Sequence, residues 1–165
     1  MSSHELRVTT DAVDWPAPDD HAALRLWLHL LGTSQVVKSV IRRRLHEEFD
    51  TSLARFDFLA QLHRSQDGLR MQEISSRLMV TGGNVTGLTD SLEQEGLVKR
   101  SADPDDRRAF RVSMTAEGRK RFAVMAKAHE QWIIGVFGVV SKREMRQLQE
   151  LLSRIKHTAQ REDRR

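Results

Sequence analysis

One face of a short predicted helix carries residues suited to close contact with another surface. The helix is predicted over residues 81–95, and four of its residues recur at i, i+3, i+4 and i+7, opposite an apolar face. These residues are Gly83, Thr86, Gly87 and Asp90. Glycine inside a helix costs roughly 1 kcal/mol relative to alanine. Close approach of the helix backbone to another surface is a use that offsets this cost.

The first turn of this helix presents groups that recognise nucleic acid. Thr81, Gly82 and Gly83 offer free backbone amides, which favour a phosphate. The amide of Asn84 can pair with an adenine edge, and the methyl group of Thr86 can meet a thymine methyl. The alternative, that Gly82-Gly83 is only a flexible turn, stays open.

A polar loop follows the helix. Residues 97–100 and 110–114 are predicted strands, and the residues between them form a long hairpin tip. Arg107 and Arg108 in that tip suit contacts to phosphate or to the minor groove. Solvated loop charges are the alternative.

The elements around this segment predict the fold. Helices are expected over residues 21–49, 53–64, 71–79 and 81–95, followed by the hairpin, a helix from Thr115 to about Val140, and a last helix opened by the capping box Ser141–Glu144. Two short helices and a hairpin with a basic tip form a winged helix-turn-helix, which places one helix in the major groove. The fold class is therefore mainly α with a small β-hairpin wing and a helical dimerisation region.

Four regions follow from this pattern. Residues 1–20 are expected to be a poorly ordered acidic arm, whose Trp15 could dock on a neighbouring subunit. Residues 21–50 and 116–165 are expected to form homodimerisation helices, because their apolar stripes exceed what a small core can cover. Residues 51–115 are the predicted DNA-binding region.

Charge and composition agree with a polyanionic partner. The 165 residues carry a formal net charge of +4, but residues 1–20 hold five acids and one base, so the rest carries +8. Such a body attracts double-stranded DNA. The absence of cysteine excludes thiolate chemistry and thiol redox sensing.

Other function classes lack their motifs. No apolar stretch approaches the length of a membrane span. The seven histidines form no metal-ligand pattern, and no phosphate loop or nucleophile elbow is present, so neither an enzyme nor a cofactor is expected. A helical homodimeric adaptor without sequence-specific DNA binding is the second hypothesis.

Three stretches together resemble a known signature. Residues 96–100, 103–109 and 112–118 closely resemble the wing of the MarR family of bacterial transcriptional regulators, and the resemblance extends from about residue 24 to 155. It implies a cytoplasmic homodimer, usually a repressor, that binds a palindromic operator and is released by a small, often aromatic ligand. By position, Arg107 and Arg108 would be the wing arginines, Asp106 their orienting carboxylate, and residues 81–89 the groove-facing helix.

The sequence departs from many relatives at two positions of that helix. Gly87 and Ser91 stand where arginine is common, which shifts base recognition toward Asn84, Thr86 and the wing. Residues 55–59 and 79–86 resemble regulators of aromatic-acid catabolism, including those that respond to aromatic acyl-CoA thioesters. The expected effector is therefore an aromatic acid or its CoA thioester.

Apolar and cationic residues suited to such an effector occur on the first two helices. The candidates are Trp27, His29, Arg42, Arg43, Phe56 and Phe58. The alternative is that Trp27 belongs to plain dimer core and the arginines to a solvated face.

Overall fold

The computed structural model describes residues 21–65, 67–106 and 109–163. It contains six helices and three strands within these residues. In chain order they are α1 (His21–Phe49), α2 (Leu53–His63), β1 (Leu69–Arg70), α3 (Met71–Leu78), α4 (Gly82–Gln94), β2 (Val98–Ala102), β3 (Phe110–Met114), α5 (Ala116–Phe137) and α6 (Lys142–Glu162). The predicted fold class, mainly α with a small β wing, is confirmed.

The chain divides into two compact parts between Lys38 and Ser39. The described residues of the first part, 21–38, form the beginning of α1, and most of their large apolar side chains are exposed. These are Leu24, Leu26, Trp27, Leu28, Leu31 and Val36. The predicted acidic arm, with Trp15, lies outside the described residues.

The second part contains the winged helix-turn-helix and its core. Residues of α2, α3, α4 and the sheet are fully or almost fully buried together. They include Phe58, Leu59, Ile74, Val85, Leu92, Val98 and Val112. The buried residues of α4 and β3 recur at the helical and strand spacings expected of an inward face.

Side-chain caps mark the starts of three helices, as the sequence predicts. The hydroxyl of Ser52 accepts from the amide of Arg55, and that of Thr115 accepts from Gly118. Ser141 and Glu144 form the predicted capping box at α6. These bonds satisfy amides that the first helical turn leaves free. By contrast, α5 ends at Phe137, three residues before the predicted end at Val140.

The sheet has three strands rather than the two predicted. The order is β1-β3-β2, all antiparallel, and Leu69 pairs with Val112 while Arg100 pairs with Val112 on the other side. β2 begins at Val98 and runs to Ala102, whereas the sequence predicted residues 97–100. β1 was missed because two residues are too few to show a period-2 pattern.

Two glycines join α4, the sheet and α5. Gly96 has φ +70°, the left-handed conformation expected after the end of α4. A Cβ at Gly118 would lie 1.9 Å from the carbonyl oxygen of Leu97, so only glycine permits this contact. Thr115 completes the junction by donating to the carbonyl oxygen of Gly96 at 2.6 Å. The threonine and glycine of the wing signature therefore hold α5 against the end of α4.

A buried carboxylate fixes the base of the hairpin loop. Asp103 accepts hydrogen bonds from Nε and Nη2 of Arg70 at 2.7 and 2.9 Å, and from Nε of Arg111 at 2.9 Å. The backbone amides of Asp105 and Asp106 donate to its Oδ1 at 2.9 and 3.2 Å. Asp103 therefore joins β1, β3 and the start of the loop.

These bonds change the acidity of Asp103. The hydrogen bond from Arg70 holds the pKa of the carboxyl well below its usual range, and bonds from Asp105 and Arg111 act in the same direction against the effect of desolvation. The carboxylate therefore stays charged inside the fold.

We expect Asp103 to make the protein sensitive to acid. Because its pKa is lower in the folded than in the unfolded chain, its stabilisation is fully present above about pH 4 and is lost as the pH falls toward the folded-state pKa. Asp103→Asn should lower the thermal midpoint at pH 7 and remove this part of the acid sensitivity. Thermal midpoints of both proteins between pH 7 and pH 3 measure the effect.

Asp105→Asn is the matched control. Its carboxylate is exposed and lies 4.0 Å from Nη2 of Arg70, so its removal should change the midpoint little. Equal acid sensitivity of wild type and Asp103→Asn would contradict the assignment.

Candidate DNA-binding interface

The small residues of α4 lie on its exposed face, as predicted. Gly83, Thr86, Gly87 and Asp90 are all exposed. On the other side, Val85 and Leu92 are fully buried and Leu88 is half-buried. Thr89 also faces inward, where its hydroxyl donates to the carbonyl oxygen of Val85 at 2.7 Å. The resemblance names residues 81–89 as the groove-facing helix, and within this range Val85 and Thr89 are fully buried.

The glycines of this face are not required by packing within the described chain. A Cβ built at Gly82, Gly83 or Gly87 would meet no atom within 4 Å. Alanine would fit at each position and would favour the helix. Packing within the described residues therefore does not explain glycine at these positions.

The start of α4 presents the groups predicted from the sequence. Thr81 is the N-cap, but its side chain makes no hydrogen bond to the first turn. Asn84 is exposed. The hydroxyl of Thr86 donates to the carbonyl oxygen of Gly82 at 3.1 Å, so its polar atom is engaged with the backbone. What Thr86 offers to a partner is mainly its methyl group.

Ion pairs that the sequence did not reveal anchor α4 at its later turns. From α2, Arg55 donates to the hydroxyl of Ser91 at 2.8 Å and to Glu95 at 2.5 Å. From β2, Arg100 donates to Glu93 at 2.5 Å and forms an ion pair with Asp90. The helix is therefore held from two sides while its first turns stay exposed.

The pairing of Asp90 has an electrostatic consequence. Asp90 is the one acidic residue among the four of the exposed face, and an unpaired carboxylate there would repel phosphate. The guanidinium of Arg100 lies against this carboxylate and is shared with Glu93. The hydrogen bond to Asp90 raises the pKa of Arg100 against the effect of desolvation. The arginine therefore stays charged and offsets part of the negative charge on this face.

The wing arginines Arg107 and Arg108 lie outside the described residues. Two backbone hydrogen bonds join the residues on either side of them. The amide of Asp103 donates to the carbonyl oxygen of Ala109 at 3.0 Å, and the amide of Ala109 donates to the carbonyl oxygen of Asp106 at 2.9 Å. The orienting role of Asp106 stays a prediction. The start of this loop is held by the carboxylate of Asp103. This carboxylate accepts a hydrogen bond from Arg70, which lies 33 residues earlier in the sequence.

The predicted effector residues fall in different surroundings. Trp27 and His29 are exposed on the first part of α1, and Arg42 and Arg43 are exposed on the second part. Phe58 lies wholly within the core.

Phe56, the remaining effector candidate, belongs to an aromatic cluster. Its ring lies 5.4 Å from that of Phe122 and 4.8 Å from that of His129. Burial lowers the pKa of His129, although the charge of Asp57 acts in the opposite direction. Phe56 therefore joins α2 to α5.

A cavity of about 450 Å³ lies in the second part of the chain and includes none of these six residues. It is lined from the end of α1, α2, the end of α4 and α5. The lining residues are Phe49, Asp50, Thr51, Arg55, Leu59, Leu92, Glu95, Leu97, Arg121, Val124 and Met125. Arg42 lines two other cavities, one of them shared with Arg55 and Glu95.

The described residues contain neither a metal-binding cluster nor a membrane-spanning helix. Within 21–65, 67–106 and 109–163, no group of three or more histidine, aspartate or glutamate side chains is arranged to hold a metal ion. In the same ranges no helix is both long and apolar enough to cross a membrane.

Known proteins resemble this chain in sequence and fold. The HTH-type transcriptional regulator YkoM of Bacillus subtilis is 34% identical over 85 residues, which cover 52% of this chain and 55% of YkoM. The chain thus matches the first curated relatives over about half of their length. The crystal structure of the MepR–DNA complex of S. aureus is 25% identical, covers 80% of this chain and 96% of that chain, and has a TM-score of 0.68.

A family model and a solved structure point to the same family, and the solved structure covers most of the chain. The model of the MarR family matches residues 51–110. The crystal structure of a MarR family transcriptional regulator from Silicibacter pomeroyi is 30% identical, covers 87% of this chain and 99% of that chain, and has a TM-score of 0.74. These relatives are transcriptional regulators and not enzymes. The chain belongs to the MarR family of transcriptional regulators.

Proposed function

We propose that this regulator binds double-stranded DNA as a homodimer and acts as a repressor at a pseudo-palindromic operator, released by a small aromatic acid or its CoA thioester. The observation that carries the proposal is the exposed face of α4. The glycines of this face have no packing role in the described residues. The later turns of α4 are anchored by Arg55 and Arg100. A rigid helix with a nearly bare face suits close insertion into a major groove.

Recognition is divided between base edges and the DNA backbone. Asn84 and the methyl group of Thr86 would read bases, while the first amides of α4 and the wing arginines Arg107 and Arg108 would hold phosphates. The excess of positive charge outside residues 1–20 would add attraction that does not depend on sequence.

Exposed apolar side chains of α5 and α6 support the homodimer. Within the part of the chain that the structure describes, no residue of α6 is buried, although the helix has an apolar stripe. Exposed residues on these two helices include Ile134, Phe137, Leu148, Leu151 and Ile155. A second copy of the chain would cover such a stripe. A monomeric mass in sedimentation at micromolar concentration would contradict this.

The cavity beside Arg55 supports an anionic effector with an apolar body. Arg55 and Arg121 supply cationic groups, and Leu59, Val124 and Met125 supply apolar walls. A volume of about 450 Å³ lies within the range of small-molecule sites. An effector that releases DNA must bind the DNA-incompetent dimer more tightly than the competent one.

We expect Gly87→Leu to abolish specific DNA binding and leave the fold intact. Open space surrounds Gly87 in the described chain, so leucine fits there, but its side chain would hold α4 away from the groove. Gly87→Ala is the matched control and should raise stability by about 1 kcal/mol. Binding is measured by fluorescence anisotropy with duplexes selected from random DNA, and folding by circular dichroism. Unchanged binding by Gly87→Leu would refute the exposed face as the DNA-binding face.

We expect Asn84 and the wing arginines to affect binding differently. Asn84→Ala should cost about 1 to 3 kcal/mol, mainly at one base pair. Arg107→Ala and Arg108→Ala should weaken binding to all sequences and lower the salt slope by about one for each phosphate that the variant no longer binds. The measurement is Kd against salt for the selected duplex and single-base variants of it. If Asn84→Ala weakens all duplexes equally, its role in base recognition is wrong.

We expect an aromatic acid or its CoA thioester to change operator affinity by at least about threefold at saturation. The assay titrates hydroxycinnamates, benzoates and their CoA thioesters into the protein–DNA complex at fixed salt. Arg121→Gln should weaken this response without changing affinity for DNA alone, because Arg121 forms its ion pair with Glu117 of its own helix rather than with α4. If no compound of these classes alters the affinity, the effector class is wrong and the DNA-binding proposal is unaffected.

A further inference from the structure

The turn between α3 and α4 is held in one conformation. The hydroxyl of Ser75 donates to the carbonyl oxygen of Val80 at 2.6 Å, and the amide of Val80 donates to that of Ser75 at 3.2 Å. The amide of Met79 donates to the carbonyl oxygen of Ser76 at 3.3 Å. Ser75 and Ser76 therefore fix the backbone of Met79 from the preceding helix.

Met79 is held in an unfavourable backbone conformation. Its φ and ψ are +54° and +42°, in the left-handed region. Among the described residues, Asp50 is the one other non-glycine residue with positive φ. Aspartate adopts this conformation more readily because its short side chain can bond locally, whereas methionine has no such compensation. Glycine would fit the turn of Met79 without strain.

The side chain of Met79 is almost fully exposed and adds little to the packing of the described residues. It is 93% exposed, the highest value among the exposed large hydrophobic residues of the described ranges. Neither its backbone conformation nor its side-chain packing explains methionine at this position. A residue kept in a strained and solvated position points to a role toward a partner.

The location of Met79 indicates which partner. It lies two residues before Thr81, so the two Cα atoms are at most about 7.6 Å apart. Thr81 to Asn84 are all exposed at the start of α4. An unbranched, flexible thioether cannot bond a phosphate, but it can pack on an apolar group. The apolar group that distinguishes one base from the others in the major groove is the 5-methyl of thymine.

We propose that Met79 is a specificity-determining residue that packs against a thymine methyl at the edge of each half-site. The inference rests on the proposed DNA-binding function and extends base recognition beyond α4 to the turn before it. The bare face of α4 brings the turn close to the groove, and Met79 supplies the apolar bulk that the glycines lack.

The test uses the full-length chain and a duplex that the wild-type protein selects from random DNA. Each thymine of the half-site is replaced in turn by deoxyuridine, which removes only the methyl group, and Kd is measured for wild type and Met79→Gly. Wild type should lose roughly fourfold in affinity at one thymine, the value expected for one buried methyl. Met79→Gly should bind the unmodified duplex more weakly and should lose its sensitivity at that position.

Two further variants separate this contact from others. Met79→Leu keeps the apolar bulk and the backbone conformation, so it should keep the sensitivity to deoxyuridine. Thr86→Ser removes the methyl group of Thr86 and should affect a different thymine. The thermal midpoint of Met79→Gly should rise, because glycine relieves the left-handed conformation. A residue needed only for folding would show the opposite change.

Each remaining outcome overturns a stated claim. If Met79→Gly keeps the wild-type sensitivity at every thymine, or weakens all duplexes equally, the methyl contact is wrong while the DNA-binding function stands. If wild type selects no duplex, the proposed function fails and this inference fails with it. If wild type selects a duplex and Met79→Gly binds that duplex as tightly as wild type does, the contact with DNA is wrong and Met79 faces a different partner.

Discussion

The hydrogen bonds of the Asp103 carboxylate determine where the sheet and the loop lie relative to α3. Arg70 is both the last residue of β1 and the N-cap of α3, so its two bonds to Asp103 tie that helix to the hairpin. Arg111 adds the neighbouring strand. A buried carboxylate without these partners would be strongly unfavourable. The start of the loop, up to Asp106, is therefore held by a carboxylate that is buried inside the protein.

The same logic applies to α4, whose exposed face contributes no packing. A helix that leaves one face nearly bare must be held by its other faces. The buried side chains Val85, Thr89 and Leu92 hold it to the core, and Arg55 and Arg100 hold its later turns from α2 and β2. The bonds from Arg55 and Arg100 leave the first turn of α4 free, because their partners on the helix lie at or beyond Asp90. The position of this helix and the exposure of its bare face are thus set by different residues.

Local patterns in the sequence predicted the six helices of the described residues and the exposed face of α4. The 3.6-residue period identified Val85 and Leu92 as inward, and cap residues such as Ser141 identified helix starts. Contacts between distant residues were not predictable, because no local pattern records them: Arg55 lies 36 residues from Ser91, and Arg70 lies 33 from Asp103. The strand β1 was missed for a related reason, since its two residues become a strand only through pairing with β3. The resemblance named the acidic loop motif and assigned an orienting role to Asp106, which stays a prediction, but it did not indicate that Asp103 is buried and bonded to Arg70 and Arg111.

The position of Arg55 has a consequence for how two ligands would influence each other. Its guanidinium lines the cavity of about 450 Å³ and also bonds Ser91 and Glu95 of α4. An anion that accepted from this guanidinium would compete with those two side chains for the same nitrogens. Thermodynamic reciprocity then requires that whatever factor the anion imposes on the affinity for DNA, DNA imposes on the affinity for the anion. Occupancy of the cavity would thus depend on how much operator is present, and a chain already seated on DNA would need a higher concentration of the anion than a free one.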